Sequence, residues 1–300
     1  MLANWPLIAI RIAESFLFVL IVFGSIVAAI IPIAVAAGFS SFDSLRNADN
    51  PGDAVAALLI GHWALILYVL AIITVLLVVL VAIHSFVEAG NARIFVDAEH
   101  KAPKTMPVPR DAYRTFTMDR WINGGRTSWW GVFWIYNVAW SVAGLILLIP
   151  LLLTLMAMLL AQERGARVAF GCGGLALVFL IGIPVSVVVA IWTQKAIAVC
   201  VARAATAGLA LKQAWTGIRA DFGRHFAVAF ILFVIAFGGA MAISMLTMPM
   251  SIMQQTSHGS PFIGLAFAPA RIVGSFLQSI FSSAVGLWFL ASFVGLTEER

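Results

Sequence analysis

Six long apolar runs set the terms for this chain. They lie at 12–38, 57–86, 129–160, 168–192, 226–252 and 272–295, and each exceeds the roughly twenty residues that carry a helix across the hydrocarbon core. Inside lipid, every backbone N–H and C=O must be satisfied within the protein, so runs of this kind fold as helices. Hydrophobic residues make up 62% of the 300 positions and charged residues only 10%, far below the roughly 25% charged in soluble domains. The expected fold is an all-α polytopic membrane bundle of six transmembrane helices, one integral membrane domain over residues 1–300.

The cations give this bundle a direction. Arg11 precedes the first run, and seven cations (Arg93, Lys101, Lys104, Arg110, Arg114, Arg120, Arg126) follow the second. Lys195, Arg203, Lys212, Arg219 and Arg224 follow the fourth, and Arg300 stands last. Fourteen of the eighteen Lys and Arg thus fall on one side, against Arg46, Arg164, Arg167 and Arg271 on the other. Cations are retained in the cytoplasm during insertion, so both termini and both basic connections are expected there. The pI near 9.7 then reflects anionic headgroups beside the spans and no nucleic-acid partner.

The first run is too long for the core of a signal peptide, and Arg11 is balanced by Glu14, which favours an uncleaved first span despite Ala34-Val35-Ala36. Cys172 and Cys200 fall on one run about 42 Å apart if its helix is continuous. No disulfide joins them at that distance, and both are read as small packing residues.

Both basic connections are expected to be cytoplasmic, interfacial helical elbows. Leu209 to Arg224 is the more regular, with Leu211, Trp215, Ile218 and Phe222 at helical spacing and Lys212, Arg219 and Asp221 elsewhere. Such a helix either lies in the headgroup plane with its aromatics inward or packs on the bundle as a cytoplasmic elbow. Asp111 to Gly124 is a looser counterpart that follows a proline-rich stretch, Ala102 to Pro109. Phe116-Thr117-x-x-Arg120-x-x-x-Gly124 matches Trp215-Thr216-x-x-Arg219-x-x-x-Gly223, and Val81-Ala82-Ile83 matches Val189-Ala190-Ile191. This points to a parallel internal repeat, 57–160 and 168–252, of a kind some transporters use. The lipid-contacting candidates are Phe116, Arg120, Lys212, Trp215, Arg219 and Arg224.

Two other constellations carry chemistry. His84 and Glu88 stand one helical turn apart at the end of the second run and share a face. They offer a proton relay or half of a metal site, or an ordinary interfacial polar pair. No further ligand pair accompanies them, so no metal or cofactor is expected. In the sixth run Ser275, Ser279 and Ser283 recur at four, as do Gln278, Ser282 and Gly286. That stripe serves either close helix packing or a hydrated pathway. Asn137 calls for a partner on another helix. Pro32, Pro150, Pro184 and Pro249 interrupt or end spans, as the broken helices of transporters do.

H-E-x-x-H, G-x-S-x-G, C-x-x-C and G-x-x-x-x-G-K-[ST] do not occur in the sequence. No run carries a carboxylate at its middle, which argues against coupled transport through a charged centre.

With Ala210-Leu211-Lys212-Gln213-Ala214-Trp215 before a span, the chain resembles a loose group of bacterial six-span proteins. These include the membrane domain appended to some glycerophosphodiester phosphodiesterases. The resemblance is strongest over 191–237 and brings no catalytic residue, because the phosphodiesterase domain is absent from this sequence. It implies a non-catalytic module of the bacterial plasma membrane. The function expected first is therefore non-enzymatic: contact with anionic lipid, or scaffolding of a protein partner or homo-oligomer. The alternative is a transporter or channel for a small or amphiphilic solute. An enzyme built on His84 and Glu88 comes third.

Overall fold

A computed structural model describes residues 2–37, 63–102, 110–161, 163–256 and 261–298. All the regular structure among these residues is helical. A short 3-10 turn, Leu2–Asn4, leads into α1, Pro6–Ala37, and α2 runs Trp63–Lys101. A second 3-10 turn, Arg110–Tyr113, precedes α3, Met118–Leu160, and α4, Arg164–Arg203. The short α5, Ala207–Ala220, is followed by α6, Phe222–Thr256, and α7, Pro261–Glu298. Six of the seven are long and apolar enough to span a membrane. The polar loop Ser40 to Asp53, His62 and residues 103–109 of the proline-rich stretch lie outside the described residues.

The helices are longer than the apolar runs inside them. At 39, 43 and 40 residues, α2, α3 and α4 each reach about 60 Å, twice the thickness of the hydrocarbon core. α3 starts eleven residues before its apolar run, where Thr117 accepts from the Arg120 N–H as N-cap. Between the runs 129–160 and 168–192, α4 has already begun by Arg164, and Arg167 Nε donates to the Ala161 carbonyl near the end of α3. Between the runs 226–252 and 272–295, α6 continues to Thr256 and α7 begins at Pro261. α3 and α4 run unbroken through Pro150 and Pro184. Pro184 therefore creates no discontinuous helix, and Cys172 and Cys200 are both free on the one continuous α4.

The chain divides into two compact units, residues 12–84 and residues 1–11 with 85–300. In the first, α1 and α2 pair antiparallel. Tyr68 Oη donates to the Ala28 carbonyl at 3.1 Å, and Glu14 meets His84 at 2.7 Å.

The second unit has its core at one end of its helices. Leu145, Leu153, Leu159, Phe179 and Leu180 are exposed, the last at 71%. Further along α4, Ile197 is at 0%, and Ala196, Val199 and Val201 are buried with it. Leaving a Leu or Phe in water forfeits about 1.5–3 kcal/mol each, so the exposed half belongs in lipid and the chain is a multi-pass membrane protein. The buried cluster lies where the cations are: 85–98 of α2, 121–135 of α3, 191–201 of α4 and the inner face of α5. Here α2 and α3 touch through glycine. A Cβ on Gly125 would press on the Phe86 ring at 2.7 Å, and one on Gly124 would overlap Arg93 Cβ.

Candidate functional site

α5 forms because its side chains separate cleanly by face. Ala210, Leu211, Ala214 and Ile218 are buried, while Lys212, Trp215 and Arg219 are exposed. The inner face packs on the core shared with α4, and the Trp192 indole N–H donates to the Leu211 carbonyl at 2.9 Å. Its buried face is thus packed on the bundle. Trp215 and Phe222 were expected on the same face as Leu211 and Ile218. Trp215 falls at its margin, 42% exposed, because the short alanines 210 and 214 set the centre of the contact, and Phe222, 52% exposed, lies beyond α5 at the start of α6. Arg224 lies at the start of α6, exposed like Lys212 and Arg219.

The first connection is built differently. No separate helix corresponds to α5 among its described residues; Met118 onward is simply the start of α3. Phe116 does not face outward but packs half-buried against the core, and Arg120 is exposed with Nη1 3.4 Å from the Thr115 carbonyl. The matched threonines also differ. Thr117 is an N-cap in extended conformation, whereas Thr216 lies inside α5 and donates back to the Lys212 carbonyl at 3.0 Å. Gly124 is pressed against Arg93, while a Cβ on Gly223 would meet nothing within 4 Å. The similarity of sequence at these positions is therefore not a similarity of local structure.

Two cavities flank α5. An apolar groove of about 540 Å³ lies between α3, α4 and α5, lined by Val142, Ile146, Val185, Val188, Trp192 and Trp215, with Lys212 on its wall. A second cavity, about 420 Å³, lies between α4, α5 and the end of α7. Lys195, Arg203 and Lys212 line it with Gln213 and Thr216, and no carboxylate lines it among the described residues. Lys212 thus borders both. Arg203 Nη1 donates to Gln213 Oε1 at 3.2 Å, and buried Lys195 donates to the Leu296 carbonyl at 2.9 Å. That carbonyl is among the last of α7, where the helix leaves acceptors unpaired and favours a cation.

His84 and Glu88 do share one side of α2, but they do not act as a pair. His84 bonds Glu14, and Glu88, 1% exposed, accepts from the Arg11 guanidinium and from Gln194 Nε2. Arg11 and Glu14, read from sequence as a pair neutralising each other, each meet a side chain of α2: Arg11 meets Glu88, and Glu14 meets His84. No cluster of three or more metal-binding side chains occurs among the described residues.

Sequence reasoning missed several polar anchors. Asn4 accepts from the Thr115 and Phe116 N–H groups, both at 3.0 Å, and donates to the Tyr113 carbonyl. Asn91, fully buried, accepts from the Trp121 indole at 3.0 Å. Polar residues at 88, 91, 194 and 195, just past an apolar run, were the available signal. Asn137 does not reach another helix; it donates to the Phe133 carbonyl four residues back.

The serine stripe of α7 is divided. Ser283 is buried, Ser279 and Gln278 are half-buried, and Ser275 and Ser282 are exposed. Neither cavity beside α5 is lined by a residue of the stripe. No protein-family model, curated protein or solved structure matches the chain.

Proposed function

We propose that this protein is a non-enzymatic multi-pass module of a bacterial plasma membrane whose work is contact with anionic lipid through α5 and the cations around it. The observation that carries this reading is the position of α5. Its inner face is committed to the core, which leaves Lys212, Trp215 and Arg219 outward next to helices whose apolar side chains are exposed. A cation and an indole side by side at such a border suit the headgroup layer. Both termini and the basic layer then face the cytoplasm, where the leaflet is anionic. Non-catalytic membrane domains, which the region around α5 resembles, fit the same role, as does a scaffold holding a protein partner or a second copy.

A solute pathway is the weaker reading. Pro150 and Pro184 leave their helices continuous, and the serine stripe borders neither cavity beside α5.

The test is lipid preference in mixed bilayers, read with spin-labelled phosphatidylglycerol against phosphatidylcholine. The wild-type protein is expected to enrich the anionic lipid several-fold, and K212E, R219E and R224E together to abolish that enrichment. An unchanged preference in the triple variant would overturn the reading.

A further inference from the structure

We propose that the groove and the basic cavity are two halves of one site, which holds a single anionic phospholipid drawn from the surrounding bilayer. This rests on the reading of α5 as a lipid-contacting helix and narrows it from a surface to a pocket. The acyl chain would lie along Val142, Ile146, Val185 and Val188, and the phosphate on Lys212 and Arg203.

The argument starts from α4. Pro184, Val185, Val188, Val189 and Trp192 line the groove, and Lys195, Val199 and Arg203 line the basic cavity. Their spacing of three to four keeps them on one face of one helix. That face changes from wholly apolar to basic in less than one turn, between Trp192 and Lys195. From 184 to 203 it extends about 28 Å at 1.5 Å per residue, enough for one leaflet of a bilayer about 40–45 Å across its headgroups. Polarity along the helix therefore follows polarity along a lipid.

The change falls where a bilayer changes as well. Trp192 and Trp215 meet edge to face at 5.8 Å at this point, and the Trp192 ring is fixed by its bond to Leu211. Indoles favour that depth because one edge is apolar and the other polar. Lys212 borders both cavities, and its ammonium has no acceptor among the described residues. Arg203 gives one N–H to Gln213; a guanidinium carries five, in a fork that matches phosphate oxygens. Basic surface beside an apolar slot of several hundred Å³ recognises an anion carrying a hydrocarbon chain. It would bind a free anion or a neutral lipid less well.

The experiment is native mass spectrometry of the detergent-extracted protein titrated with phosphatidylglycerol, with phosphatidylcholine and inorganic phosphate as separate arms. Expected is one phosphatidylglycerol adduct that saturates before any others and is at least tenfold preferred over phosphatidylcholine. V188W, which fills the groove at a half-open position, should lower its occupancy at least tenfold. R203Q, at an exposed position, should remove the preference for the anionic lipid. R219E with R224E, outside both cavities, should leave the adduct in place. Retention of the adduct by both V188W and R203Q, a ladder of adducts with no saturating first one, or displacement by millimolar inorganic phosphate would each overturn the proposal. Loss of the adduct criteria with bilayer preference intact removes only the pocket; loss of bilayer preference in the wild type removes the broader reading.

Discussion

The two basic connections begin from the same short pattern and end as different structures. In the first, an aromatic, a threonine and a glycine become the entry to a 43-residue helix, buried against α2. In the second, the aromatic and the threonine lie on the outer face of a separate helix of 14 residues, and the glycine falls at the start of α6. What differs is the chain before them. Thr117 follows an extended segment held by Asn4, so its hydroxyl is placed to cap. Thr216 follows two turns of helix already formed, so its hydroxyl can only bond back along the helix. A motif of this length thus takes its structure from its neighbours.

The connections also differ in what anchors them, and that gives the largest expected effect. The first depends on buried charge, the second on bonds to backbone carbonyls. R11A would leave the Glu88 carboxylate buried with Gln194 as its remaining partner, a loss of about 3–5 kcal/mol. W192F removes one neutral hydrogen bond to Leu211, worth about 0.5–1.5 kcal/mol. Thermal unfolding in detergent should show a drop several times larger for R11A. Equal drops would mean that the Arg11–Glu88 pair does not anchor the first connection.

Next in size is the glycine pair. G124A forces a methyl into Arg93 and should cost about 1–3 kcal/mol as overpacking, whereas G223A enters open space and should leave the melting temperature unchanged or raise it. A G124A protein as stable as wild type would break the contrast.

The smallest effect concerns the threonines. T117A removes an N-cap and should cost about 1 kcal/mol, while T216A removes only a back-bond on an exposed face and should not shift unfolding measurably. Hydrogen exchange of the Arg120 and Trp121 amides gives a local reading of the first. Unaltered protection there in T117A would show that the cap is not what starts α3.

Much of the fold was legible because hydropathy is a local property. Runs such as 129–160 and 168–192 needed no partner to be recognised as helices. Less visible was that the stretches past the apolar runs, 85–98 and 193–201, carry the core. Side-chain pairing was the least visible. Glu88 looked matched to His84 four residues away, but its cation, Arg11, is 77 residues earlier. Lys195 looked like one more member of a basic run, and only packing shows it buried on the last turn of α7. On α5, counting apolar residues found the helix and two residues of its buried face, Leu211 and Ile218, but not Ala210 and Ala214, which outweigh the larger Trp215 where close approach decides.

The bond from Asn4 to Thr115 has a consequence for how the chain is made. The two residues are 111 positions apart, so Asn4 leaves the ribosome on the order of ten seconds before its acceptors and donors exist, at 5–20 residues per second. Arg11 likewise waits for Glu88. The opening segment must pass this interval beside the insertion machinery, and the residues synthesised first complete a unit whose other members are 85–300.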